Sequence, residues 1–230
     1  MCANNYPVDI VEDFFVKHKI SIEPCQFKGY NLLEAFSIPS YITSIPENAF
    51  ERWLNLKKVT IPESVTIIKT FAFVRCNSLV EVNIPSSVKI IEKSAFAFCG
   101  SLKTLKIPDS MTSLGDSVFE ECRSLEQINI PSSVTSVGKW CFSQCESLTK
   151  IELHPLINLI GDNAFYLSSL EQITIPSLMT SINEGIFEQC FHLSRVTFEN
   201  TSSINTIKKD AFKSCENLKD LVYSKFISFN

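Results

Sequence analysis

The sequence predicts a β-rich solenoid built from 23-residue repeats, with parallel strands joined by short turns or helices. Three observations predict it. Ile-Pro pairs recur at Ile38, Ile61, Ile84, Ile107 and Ile130, each 23 residues after the last, and again at Ile175. Phenylalanine recurs in phase at Phe50, Phe73, Phe96, Phe119, Phe142, Phe165, Phe187 and Phe212. Three residues after most of these stands a cysteine: Cys76, Cys99, Cys122, Cys145, Cys190 and Cys215, with Trp53 and Ser168 in the other two repeats. A fixed period of this length is the signature of a stacked architecture, in which one unit cannot bury its apolar face alone.

Each element follows from one part of the consensus L-x-x-V-x-I-P-x-S-V-T-x-I-x-x-x-A-F-x-x-C-x-S. The L-x-x-V-x-I portion alternates and is β-branched, so it reads as a strand; Leu56, Val59 and Ile61 illustrate it. Proline ends that strand because it has no N–H for the ladder. The stretch around Ser87-Val88 and Ile91 reads as a second short extended piece. Ala-Phe-x-x-Cys-x-Ser-Leu reads as a turn or short helix that returns the chain to the next strand. Eight strands at about 4.8 Å would make a right-handed rod roughly 35 Å long.

Two repeats depart from the rule. Leu153-His154 fills the Ile-Pro slot of repeat six, and one residue is missing near Ser168-Ser169. Repeat eight has Phe198-Glu199 in that slot and carries two extra residues within 200–205. Residues 1–31 break the period. Pro7 followed by Asp9, Ile10, Val11, Phe14 and Phe15 reads as a short amphipathic helix that caps the stack. The solenoid then occupies 32–223, and 224–230 form a tail or partial repeat. Apolar residues on that last edge predict end-to-end self-association.

These markers resemble the BspA-like (Treponema-type) leucine-rich-repeat family over Leu33 to about Tyr223. The resemblance implies a protein-binding solenoid without catalysis, and for some members an adhesive role on cell surfaces.

Composition narrows the function. The chain has 230 residues, 45% of them hydrophobic, with 21 basic against 25 acidic side chains and a net charge of −4. Disorder and a strongly basic nucleic-acid binder are both excluded on these numbers. No run approaches the roughly 18 apolar residues of a membrane helix. Met1 to Tyr6 carry no signal-peptide pattern, so a cytoplasmic or nuclear location is the expectation, with surface display implied only by the family resemblance. The three histidines, His18, His154 and His192, sit beside no nucleophile with an orienting third group, and no phosphate loop is present. No enzyme, cofactor or metal is expected. Six cysteines in one slot read as small buried hydrophobes, with Cys2, Cys25 and Cys141 outside that ladder.

Residues flanking the inward strand hydrophobe point to the open face. One such column is Lys58, Glu81, Thr104, Gln127, Lys150, Gln172 and Arg195; the other is Thr60, Asn83, Lys106, Asn129, Glu152, Thr174 and Thr197. The face is polar, lacks an aromatic platform for single-stranded nucleic acid, and suits a salt-sensitive protein contact. Two segments suggest a narrower partner. Arg195-Val196-Thr197-Phe198 resembles the R/K-V/I-x-F docking motif of type-1 protein phosphatase regulators, and Lys225-Phe226-Ile227-Ser228-Phe229 resembles its longer variant. The catalytic subunit of that phosphatase is therefore the named candidate partner. Against it, Val196 occupies an inward strand position and Phe198 the slot of the repeat Ile.

Overall fold

The structure is a computed structural model that describes residues 33–199, 203–222 and 228–229. The chain forms a solenoid of parallel strands stacked at a 23-residue spacing, with turns and no helix among the described residues. The segments read as turns or short helices are turns. The proposed cap at 1–31 lies outside the described residues.

Each full repeat except the sixth contributes two strands. The longer one builds the strand face: β1 (Ala35–Ser37), β3 (Lys58–Thr60), β5 (Glu81–Asn83), β7 (Thr104–Lys106) and β9 (Gln127–Asn129) form one sheet in that order. The shorter one runs along a side edge, as β2 (Ser44–Ile45), β4 (Ile67–Ile68) and β6 (Ile90–Ile91). A second side sheet holds β8 (Ser113–Leu114), β10 (Ser136–Val137) and β11 (Leu159–Ile160), and a third holds β13 (Ser181–Ile182), β15 (Thr206–Ile207) and β17 (Ser228–Phe229). Between the two strands of a repeat, the proline carbonyl closes a turn. Pro62, Pro85, Pro108 and Pro131 accept the N–H three residues on at 3.0–3.1 Å.

The strand face is not continuous. It resumes as β12 (Gln172–Ile175), β14 (Arg195–Phe198) and β16 (Asp220–Val222), and 150–153 of repeat six carry no strand. The interruption falls where Leu153-His154-Pro155 moves the proline one position along and the next return turn has lost a residue. Register recovers through the Glu171 N–H, which donates to the Thr149 carbonyl at 3.1 Å.

The turn side is held by a different backbone ladder. Residues two before and two after each repeat Phe adopt left-handed dihedrals, for example Phe71 (φ 57°) and Arg75 (φ 62°). Such dihedrals cost non-glycine residues roughly 1–2 kcal/mol apiece. In return they aim alternate N–H groups along the stack. Phe50 donates to the Ala72 carbonyl at 2.8 Å, Phe73 to Ala95 at 2.8 Å and Phe119 to Cys141 at 3.0 Å. The residue before the Phe is alanine in five of the eight repeats and Val118, Cys141 or Ile186 in the others.

Inside lies one apolar core. The Phe rings stack from repeat to repeat at centroid separations of 4.9–6.1 Å, and seven of them, Phe50 to Phe187, are fully buried. The cysteine ladder does more than fill space. Each thiol donates to the carbonyl oxygen of the preceding repeat's Phe: Cys76 to Phe50 at 3.1 Å, Cys122 to Phe96 at 3.3 Å, Cys190 to Phe165 at 3.0 Å. That carbonyl also accepts the N–H three residues on, Trp53 to Phe50 at 3.2 Å and Cys99 to Phe96 at 3.3 Å, so the thiol supplies its second hydrogen bond. Cys141 is also buried, in the slot that five other repeats fill with Ala. The seven described cysteines are free.

Candidate functional site

The register fixes the strand face. Lys58 pairs in register with Glu81, Glu81 with Thr104 and Thr104 with Gln127. Thr60 aligns with Asn83, and Lys106 with Asn129. After the interruption, Gln172 aligns with Arg195 and Thr174 with Thr197. Both columns therefore form as the alternation requires, because every central residue (Val59, Val82, Leu105, Ile128, Ile173, Val196) turns into the core and its neighbours turn out. Lys58, Glu81, Lys106, Asn129, Lys150, Glu152 and Thr174 are all exposed.

Two concavities lie on this face. The larger, about 460 Å³, sits at the interruption and is lined by Lys150, Glu152, Thr174, Arg195, Thr197 and Glu199, among others. The smaller, about 320 Å³, is lined by residues of β5, β7 and β9, including Glu81, Asn83, Lys106 and Asn129. Thr174 and Thr197 share a hydroxyl–hydroxyl bond of 2.9 Å on the floor of the larger one.

The charges of the strand face differ from those elsewhere. On the turn side, Arg123 bridges Glu121 (2.9 Å) and Glu146 (2.7 Å), Lys139 pairs with Asp162 (2.8 Å) and Lys213 with Glu188 (2.8 Å). Hydrogen bonding to Asp162 raises the Lys139 pKa and lowers that of Asp162 in turn. Among the described residues, Lys58, Glu81, Lys106, Lys150 and Glu152 enter no ion pair, although Lys58 and Glu81 are register neighbours.

The docking-motif residues sit within the repeat architecture. Val196 is fully buried and lies in register between Ile173 and Leu221. Phe198 is half-buried, packs on the core and aligns with Ile175. Arg195 alone of the three is exposed. In the tail, Phe229 belongs to β17 and aligns with Ile207; Lys225 and Ile227 lie outside the described residues.

No catalytic constellation assembles around the described histidines. The ring Nδ1 of His154 accepts the Leu156 N–H at 3.3 Å, which is a loop contact. His192 is exposed. Among the described residues, no group of three or more His, Cys, Asp or Glu is placed to hold a metal ion, and no helix is long and apolar enough to cross a membrane.

Stacked two-strand turns with a phenylalanine spine and an open strand face define a leucine-rich-repeat solenoid. The chain belongs to the BspA-type family: the model of the BspA type leucine rich repeat region matches residues 11–126 and again 112–229. The first match begins inside the segment read as a cap. Among solved structures, a leucine-rich repeat protein from Bacteroides ovatus is 24% identical over 91% of this chain, with a TM-score of 0.68. The T. pallidum leucine rich repeat protein is 25% identical over 81% of this chain and 78% of its own, with a TM-score of 0.53. The pneumococcal vaccine antigen PcpA is 18% identical over 86% of this chain, with a TM-score of 0.62. This chain spans 66% of the Bacteroides protein and 63% of the pneumococcal one. No curated protein sequence matches it.

Sequence reading missed two features of the site. The break at 150–153 was signalled by the lost Ile-Pro pair. Three exposed leucines, Leu156, Leu159 and Leu178, were also passed over. Two of them, Leu156 and Leu178, stand in a slot that four earlier repeats fill with Ser.

Proposed function

We propose that this chain is a non-enzymatic protein-binding module that takes its partner on the polar strand face. The observation that carries the reading is the set of exposed charges, Lys58, Glu81 and Lys106 in register columns and Lys150 and Glu152 at the interruption, none of which enters an ion pair among the described residues. An exposed ion pair contributes only about 0–1 kcal/mol to stability, so leaving these charges unpaired costs the fold little. A partner that supplies complementary charges gains them all at once, with a strong dependence on salt. The test is capture of partners by the wild-type chain and by a Lys106→Glu, Lys150→Glu variant. The reading requires specific partners to be lost from the variant, with its melting temperature unchanged. Identical capture by both proteins overturns it.

The narrower reading is a regulator or targeting subunit of type-1 protein phosphatase. Its support is the sequence of 195–198 and 225–229. Docking through Val196 and Phe198 requires the central strand β14 to leave two neighbours, whereas the tail motif needs only the two-residue edge strand β17 to leave β15, which makes the tail motif the better anchor. Calorimetric titration with the phosphatase catalytic subunit, repeated with a competing docking peptide, decides it. Binding displaced by the peptide supports the narrower reading, and absence of binding removes it.

The alternative setting is display on a cell surface as an adhesive protein. The seven described cysteines are free and six of them are buried, so the described solenoid is held without disulfides and either compartment is compatible with it. Surface labelling of intact producing cells separates the two.

A further inference from the structure

The side edge of repeats six and seven carries an apolar patch, separate from the strand face. Three residues after the Ile marker, repeats two to five hold Ser64, Ser87, Ser110 and Ser133. Three of these hydroxyls donate to a carbonyl of the preceding repeat: Ser64 to Ile42 at 2.6 Å, Ser87 to Val65 at 2.7 Å and Ser110 to Val88. Repeats six and seven replace this serine with Leu156 and Leu178. The loops are otherwise equivalent. The same turn bond closes each of them, Ile157 N–H to the His154 carbonyl at 2.9 Å and Met179 N–H to the Pro176 carbonyl at 3.2 Å, as Val134 N–H to Pro131 does at 3.0 Å.

The replacement does not feed the core. Leu156 is 49% exposed and Leu178 50%. They occupy one slot in adjacent turns of the stack, about 5 Å apart along its axis. Leu159, 50% exposed, lies three residues beyond Leu156 on β11, where its register partner is Ser136. Pro155 is exposed beside them. Single exposed apolar residues are ordinary on protein surfaces. Here two consecutive repeats give up a structural hydroxyl for a solvent-facing leucine, and a third leucine adjoins them. A local breach of the repeat rule with no gain in packing marks a surface shaped for something outside the fold.

We propose that Pro155, Leu156, Leu159 and Leu178 form a docking patch for a short amphipathic segment of a partner protein. Size selects this occupant over a second copy of the chain. A stable dimer covers about 800 Å² and 20–30 residues on each partner, and this patch has four residues. Its chain neighbours Asn158, Ser177, Thr180 and Ser181 are uncharged, and the Glu199 carboxylate beside Ser177 is occupied in accepting the Ser177 N–H at 3.1 Å. The contact therefore depends only weakly on salt, which separates it from binding on the strand face.

The test uses the full chain and a fluorescent 12-residue leucine-faced amphipathic peptide, with a scrambled peptide of the same composition as control. Leu156→Ser, Leu178→Ser returns both slots to the residue type of the earlier repeats, so its melting temperature should stay within about 2 °C of wild type. Expected is peptide binding that the scrambled control does not show, that varies less than about twofold between 50 and 500 mM salt, and that weakens at least about tenfold in the variant. Binding that both proteins share, or no binding, overturns the proposal. Concentration-dependent self-association lost in the variant also overturns it, in favour of a second copy. Failure here leaves the strand-face reading standing, because that contact responds to Lys106 and Lys150 and to salt.

Discussion

The thiol of Cys99 donates a hydrogen bond to the carbonyl oxygen of Phe73 in the repeat before it, at 3.3 Å. The same contact recurs along the stack, and it explains why one slot of a reduced protein holds six cysteines. The slot needs a small side chain with a donor that tolerates complete burial. Cys99→Ala should therefore cost about 1–2 kcal/mol, from the lost sulfur volume and the loss of one of the two hydrogen bonds that the Phe73 carbonyl accepts, the other coming from the Cys76 N–H at 3.2 Å. Chemical denaturation measures it, and a change below about 0.5 kcal/mol would show that the bond contributes nothing.

Burial also raises the thiol pKa values. Those of Cys76, Cys122 and Cys190 are pushed up to about 12, chiefly by desolvation, and that of half-buried Cys215 to about 11. The folded chain thus keeps protons that the unfolded chain releases near 9. Stability from this source is complete below pH 9 and falls as pH rises towards about 12. The melting temperature should be flat from about pH 6 to 8 and decline steadily above 9. Alkylation followed by mass spectrometry at neutral pH should modify Cys215 before any other described cysteine.

Phe119 stacks between Phe96 (6.1 Å) and Phe142 (5.7 Å) and is fully buried. Phe119→Ala should cost about 3–5 kcal/mol and loosen the neighbouring repeats, read by hydrogen exchange. Gln127→Ala, on the strand face, should change stability by less than about 0.5 kcal/mol.

Two glycines make a matched pair. A Cβ at Gly138 would lie 2.5 Å from the Gly115 carbonyl carbon and 2.6 Å from the Asp116 nitrogen, both backbone atoms of the previous turn. At Gly100 a Cβ meets nothing within 4 Å. Gly138→Ala should destabilise by about 1–3 kcal/mol, while Gly100→Ala should stay within about 0.5 kcal/mol of wild type.

The architecture was legible because its markers are physical. Ile-Pro reports a strand end, the phase of Phe reports the core, and strand alternation alone assigns Lys58, Glu81 and Lys106 outward. What stayed hidden was relational. That Cys99 bonds to Phe73 depends on a left-handed turn, which no residue type announces here: Phe71, Trp140 and Leu167 adopt it as readily as Asn48. The sheet interruption at 150–153 arises from a proline displaced by one position, a change that reads as minor substitution in the sequence. Leu156 and Leu178 stand in a serine slot, and only their exposure reveals that they face solvent rather than the core. The docking-like Arg195-Val196-Thr197-Phe198 shows the converse, since Val196 completes a strand and lies fully buried in the sheet.

The most direct test of binding on the strand face is site-specific photo-crosslinking. A photoreactive residue is placed at Gln127 and Thr174 on that face and at Lys93 on the turn side, each in the presence of a partner retained by the wild-type chain. Adducts from Gln127 and Thr174 that high salt suppresses, with none from Lys93, are the predicted result. Adducts from Lys93 with none from the strand face would contradict it.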